Sequence, residues 1–261
     1  MPVLCLHDKD VIEGCLRVDA PLHVYELGDL DDFYWPHTAW YGLEKADRLR
    51  QIALVYSASE LPVLLALTRP PPDEMEELLS SLAVILPRRL YAHLTPELEQ
   101  GLADAYRIEC HGRFLKMVLS DAATLTTIDT SRTFVLTPDD LEEVLAFYQS
   151  SYPGNWFDPR MLGSGRYVGL RQDGDLVAVA GVHVYSPRYG VAALGNIATH
   201  PAYRGKGLAT IVTARLCREL IGEVSTIGLN VRSDNAPAIT CYTRLGFTVV
   251  APYEEFTLMS K

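Results

Sequence analysis

Residues 204–209 read Arg204-Gly205-Lys206-Gly207-Leu208-Ala209. An apolar, strand-like run over 192–199 precedes them, closed by His200-Pro201, and an apolar-periodic helix over 208–220 follows. A strand that feeds a glycine-rich turn into a helix makes an anion cradle. Its glycines let the backbone come close, and successive N–H groups point outward at the positive end of the helix dipole. Lys206 and Arg204 add positive charge. The ligand that suits this turn carries phosphates.

Spacing separates the candidates. A Walker A loop needs two glycines flanking four residues, then Lys and Ser or Thr; here Lys206 sits between the glycines. A dinucleotide fingerprint needs a third glycine, where this chain has Thr210. Glu223 lies near the distance expected of a ribose-binding acid, but it precedes the next apolar run, and that fold places the acid after the strand. The strand before the turn also reads as half of a hairpin rather than the start of a βαβ unit. What remains is Arg/Gln-x-x-Gly-x-Gly/Ala, matched by Arg204, Gly207 and Ala209.

The chain has 261 residues and is 48% hydrophobic, enough for one large or two modest domains. No apolar run approaches a membrane span. His7-Asp8-Lys9-Asp10 interrupts the N-terminus where a secretion signal needs apolar residues, so a cytoplasmic location is expected. Five cysteines without a CxxC pair read as reduced thiols, and no metal site is expected. Residues 1–130 hold 11 Lys and Arg against 21 Asp and Glu, whereas 131–261 hold 12 of each. The acidic balance argues against nucleic acid as the partner. The neutral half carries the phosphate-like turn.

Two domains are expected, 1–130 and 131–261, with 120–131 as linker. In the first, 50–56, 61–68, 89–93 and 114–119 read as strands, and 73–85 and 96–105 as helices. In the second, Thr137-Pro138-Asp139-Asp140 starts a helix running to about 150. Gln172-Asp173-Gly174-Asp175 is a hairpin turn between strands 167–171 and 176–185. After the helix at 208–220 come a strand over 225–231, a helix over 235–245 stopped by Gly246, and strands near 247–250 and 255–259.

That order and a second motif carry a resemblance. The run 194–209, and 230–247 with its Asn235 helix start and Tyr242-Thr243-Arg244-Leu245-Gly246-Phe247 ending, resemble a GCN5-related N-acetyltransferase domain over about 133–259. Within that family the C-terminal half is most similar to the FR47-like, glycine-N-acyltransferase-like branch. The resemblance implies an α/β (α+β) fold: a mixed, mostly antiparallel sheet with splayed central strands flanked by helices. It also implies a smaller N-terminal α+β domain built like a degenerate second acetyltransferase half. The implied activity is acyl transfer from acetyl-CoA, or another acyl-CoA, to a primary amine of a small molecule or peptide. A glycine-like amino-acid acceptor and an inactive acyl-CoA-binding module are the alternatives. Monomer and homodimer stay open.

By the same resemblance, Gly205, Lys206, Gly207, Leu208, Ala209 and Thr210 hold the pyrophosphate, and Arg204 supports the loop. Ile197, Ala198 and Thr199 on one strand, with Asn230 on the next, line a splay in which pantetheine pairs as an added strand. Asn235 caps the last helix or contacts pantetheine, and Ala238 leaves room for the cofactor. Tyr242, four residues on from Ala238, is the candidate general acid. The family's fourth-strand Glu is replaced by Asn196, which cannot take up a proton but can position water or substrate. His183, His200, Glu143, Glu254 and Glu255 are the alternative bases. Tyr152, Trp156, Phe157 and Asp158 are read as an amine wall or as packing.

Overall fold

A computed structural model describes residues 3–58 and 60–261. They form two compact units: 1–116 with 232–234 and 249–261, and 117–231 with 235–248. The first long stretch of unit 1 ends at Lys116, and the last strand belongs mainly to unit 1.

Unit 1 contains β1 (Val3–Leu6), α1 (Lys9–Leu16), α2 (Val24–Asp29), β2 (Thr38–Lys45), β3 (Arg48–Tyr56), β4 (Val63–Ala66), α3 (Asp73–Leu82) and β5 (Arg89–Leu94). The long strand β6 (Tyr106–Leu119) runs from unit 1 into the first residues of unit 2. β1 to β4 pair antiparallel in chain order, β4 pairs parallel with β5, and β5 pairs antiparallel with the final strand. α3 buries Met75, Leu78, Leu79 and Leu82 against Leu64, Ala66, Leu90 and Ala92 of the parallel pair. Each such side chain is worth about 1.5–3 kcal/mol when fully buried.

Unit 2 contains β7 (Thr133–Val135), α4 (Leu141–Ser151), β8 (Val168–Gln172), β9 (Asp175–Ser186), β10 (Val191–Thr199), α5 (Leu208–Leu220), β11 (Thr226–Arg232) and α6 (Ala236–Arg244). The last strand, β12 (Phe247–Ser260), starts here and continues into unit 1. β7 to β10 pair antiparallel in chain order, and β10 pairs parallel with β11. Both units therefore follow one path: antiparallel strands, then a crossover helix into a parallel partner. The hairpin at 172–175 forms with Asp173 at φ 54° and Gly174 at φ 96°, the paired positive φ that such turns need.

Several expectations need correction. Residues 96–105 hold only a 3-10 turn, Leu98–Leu102, because Glu97 is left-handed at φ 77° and breaks the helical path. The stretch 120–131 is not a free linker. A 3-10 turn, Ala123–Thr127, buries Leu125, and Arg218 of α5 donates to Leu125 O, Ile128 O and Thr130 Oγ1. The strand expected at 114–119 starts at Tyr106. The two short strands expected after Gly246 are one, β12. Pro252 does not break it, because the ladder to β5 begins at Glu254.

Candidate active site

The site is built where β10 and β11 part. Their pairing runs from Val191–Thr226 to Leu194–Leu229 and stops there, while both strands continue, to Thr199 and Arg232. A bulge helps turn β10 away. On β9, Gly181 faces Gly195 and Val179 faces Ala198, so Asn196 and Ile197 together oppose one residue. Asn196 takes φ 53°, a left-handed conformation that Asn tolerates better than most residues.

Two buried tyrosines hold that bulge. Tyr148 Oη of α4 donates to Asn196 O at 2.7 Å. Asn196 Nδ2 donates to Tyr167 Oη at 3.1 Å, and Tyr167 Oη donates to Val182 O at 3.0 Å. Gly181 makes this possible: a Cβ there would lie 2.1 Å from the Tyr167 ring. Asn196 Oδ1 and Asn230 Oδ1, one on each splayed strand, are buried with no hydrogen-bond partner among the described residues. Two acceptors thus stand ready for a ligand's N–H or O–H groups.

The glycine turn closes the open end. Gly205 and Gly207 adopt φ 78° and 75°, and the space where a Cβ would stand is open at both. Their need is conformational, and their lack of side chains keeps the cradle clear. Ile211 N–H is the donor to Gly207 O, so the amides of Leu208, Ala209 and Thr210 have no acceptor within α5. Arg204 does not point into the cradle. Its Nε donates to Thr199 O and its Nη2 to Ser151 O, both at 3.2 Å, so it ties the turn to β10 and α4. Lys206 Nζ lies 4.7 Å from the centre of the Tyr203 ring. The turn therefore fits a pyrophosphate: free amides, positive helix end, one nearby ammonium.

α6 supplies the opposite wall. Asn235 Oδ1 accepts from Ala238 N–H at 3.2 Å, which makes Asn235 a helix cap. Ala238 is half-exposed, and Thr210 Oγ1 meets Cys241 Sγ at 3.2 Å, joining α6 to α5. Tyr242 is 8% exposed, with its ring edge-on to Phe247 and no hydrogen bond on its hydroxyl among the described residues. Burial, reinforced by Cys241 and Tyr152, pushes its phenol above the ordinary tyrosine range, so it keeps its proton at neutral pH.

The alternative bases are engaged elsewhere. Glu143 pairs with Arg171, and His200 Nδ1 accepts from Ala202 N–H. Glu254 pairs with Arg113, and Glu255 accepts from Tyr253 and Tyr91, both within unit 1. The His183 ring fills the space over Gly195. Phe157 packs between Tyr148 and Tyr167, Asp158 pairs with Arg160, and Trp156 and Tyr152 stay about half exposed. Glu223 accepts from Arg166 and Tyr185. The sequence reading missed Tyr148 and Tyr167. A tyrosine buried on an apolar face requires a hydroxyl partner, and that is the signal that could have flagged them.

The family model for the Acetyltransferase (GNAT) family matches residues 130–247. An acetyltransferase from Sodalis glossinidius is 34% identical over 118 residues, covering 42% of this chain and 81% of the relative. The chain belongs to the GNAT acetyltransferase family. A mycothiol acetyltransferase from Acidimicrobium ferrooxidans is 34% identical over 127 residues, covering 46% of this chain and 38% of the relative. The match spans less than half the length of the mycothiol acetyltransferases it reaches. A tandem GNAT protein from the clavulanic acid biosynthesis pathway shares the fold across both units: TM-score 0.56, 15% identity, 98% of this chain and 97% of the other. No helix among the described residues is long and apolar enough to cross a membrane.

Proposed function

We propose that unit 2 transfers an acetyl group from acetyl-CoA to the primary amine of a small molecule by direct attack. The observation that carries this reading is the splay of β10 from β11, with an orphaned amide oxygen on each strand and a clear glycine cradle at its end. The backbone of Ala198 and Thr199 pairs with pantetheine, and the amides of 205–210 take the pyrophosphate. When bound, acetyl-CoA supplies the acyl group as a thioester. The N–H of Ile197 or Ala198, turned by the bulge, polarises the carbonyl. Asn196 Oδ1 accepts from the incoming amine or from a water beside it. The amine nitrogen bonds to the carbonyl carbon as the carbon–sulfur bond breaks. The nitrogen's proton leaves to water, and Tyr242 delivers its own to the sulfur.

Unit 1 follows the same strand path, which supports reading it as a degenerate acetyltransferase half and the chain as FR47-like. The relatives named for mycothiol support a small-molecule acceptor. A second reading, acyl-CoA binding without turnover, is favoured by the amide of Asn196 where an acid would serve as base. Thiol release from acetyl-CoA over an amine panel tests both. Tyr242→Phe is expected to lower kcat by about 10²-fold with little change in acetyl-CoA binding. Acetyl-CoA binding without thiol release on any amine would favour the second reading; no acetyl-CoA binding at all would sink both.

A further inference from the structure

The ladder between β9 and β10 slips twice. Besides the bulge at Asn196, Ala193 faces Val184 and Leu194 faces Val182, so His183 stands opposite no single residue of β10. A bulge re-aims the side chain of the extra residue. Between the two slips, Gly181 and Gly195 face each other. Directly opposed residues project to one face, with Cβ positions about 4.5–5.5 Å apart. Here rings take both places. A Cβ on Gly181 would fall within the Tyr167 ring, and one on Gly195 would fall on the Cδ2–Nε2 edge of the His183 ring. Tyr167 and His183 are therefore neighbours on one face of the sheet. Tyr167 Oη accepts from Asn196 Nδ2 at 3.1 Å. The imidazole thus stands beside the anchor of the active-site bulge and over the residue that precedes it.

The groups around this ring leave proton uptake to it. Asn196 Oδ1 and Asn230 Oδ1 accept hydrogen bonds but do not titrate. Burial holds the phenols of Tyr148 on α4 and of Tyr167 above the ordinary tyrosine range, so both keep their protons. Further along β9, Tyr185 donates to Glu223, which also pairs with Arg166, so the charges on that side balance. An imidazole changes charge near neutral pH, and with its proton on Nδ1 it accepts at Nε2. His183 is partly exposed, so a proton gained there has a way out to solvent.

We propose that His183 takes up the amine's proton during acetyl transfer, at Nε2 and through the water beside Asn196 Oδ1. The amine nitrogen bonds to the carbonyl carbon and the carbon–sulfur bond breaks. The nitrogen's proton goes to that water, and one from the water goes to Nε2. The imidazolium then releases its proton to solvent, and Tyr242 regains from solvent the one it gave to sulfur. The assignment rests on the acetyl-transfer reading of unit 2.

Thiol release from acetyl-CoA tests it, with glycine, glucosamine and phenethylamine as saturating acceptors from about pH 5.5 to 9. Wild-type kcat is expected to fall on the acid side of about pH 6.5, at the same place for each amine, because a protonated ring cannot accept. His183→Gln should lower kcat about 10²-fold, abolish that acid fall and leave acetyl-CoA affinity unchanged. Imidazole added to His183→Ala should restore part of kcat, whereas pyrrole, of the same shape but not basic, should not. Gly195→Ala, whose Cβ displaces the ring, should show the same loss and keeps the proposal testable if the His183 variants do not fold. Turnover by the wild type with kcat unchanged in His183→Gln, or with the acid fall retained in it, overturns this assignment and spares the transfer reading. No thiol release by the wild type on any of the three amines sinks the transfer reading, and the assignment with it.

Discussion

The two parallel strand pairs start alike and end differently. In unit 1, β4 and β5 stay together beyond their ladder: Thr95 N–H donates to Ala66 O, and Thr95 Oγ1 accepts from Thr68 N–H and donates to Thr68 O. The segment leading to α3 is Arg69-Pro70-Pro71-Pro72, followed by Asp73, Glu74 and Glu76 in the first turn. Prolines carry no N–H, and acids at a helix start repel a phosphate. In unit 2, β10 and β11 part after Leu194 and Leu229, and the turn into α5 is glycine with open amides. One path thus yields a stitched gap or an open one. The choice lies in the bulge of β10 and in a handful of side chains at one crossover.

The largest effect expected from breaking this difference is at the cradle. Gly207→Val forces a β-branched residue to φ 75°, which costs about 1–3 kcal/mol locally and fills the space beside the amides. Acetyl-CoA affinity by calorimetry should fall at least 10²-fold. Next comes the bulge. Asn196→Ala loses both the tolerance for φ 53° and the bond to Tyr167, and a fall in kcat of about tenfold is expected. Asn196→Gly keeps the backbone and should retain more of kcat than Asn196→Ala, which separates bulge from side chain. Equal losses would show that the amide, not the turn, matters.

Unit 1 should respond in stability instead. Thr95→Val leaves the mostly buried Thr68 N–H unpaired, at about 1–3 kcal/mol in denaturant melts, with acetyl-CoA binding unchanged. The smallest effect concerns pH. Burial, then the neighbouring Glu26, raises Asp29 well above the ordinary carboxyl range, whereas Lys116 and His23 overcome burial and hold Glu26 near 2. Folding therefore takes up a proton at Asp29. That stabilisation is full below the unfolded carboxyl's range and is lost as pH rises through the folded value. Asp29→Asn should gain stability relative to wild type as pH is raised from 4 to 9; a difference that stays flat would contradict this.

Legibility followed local chemistry. The cradle and the Asn235–Phe247 motif were readable because glycine, a helix start and a cap act within a few residues. The hairpin at 172–175 was readable for the same reason. α2 was not: it has six residues, and its inward face carries Glu26 and Asp29, which read as surface. β1 and β2 were missed as well. β6 was read short because Arg107, Glu109, His111 and Arg113 mask its first half. The lock on Asn196 joins residues 48 and 29 positions apart, and no local pattern encodes that.

The most direct test is the stoichiometry of acetyl-CoA binding to the full chain by calorimetry, run beside Gly207→Val. One site per chain, abolished by Gly207→Val, is the predicted result. Two sites per chain, or one site that survives Gly207→Val, would contradict the contrast between the stitched and the open strand pair.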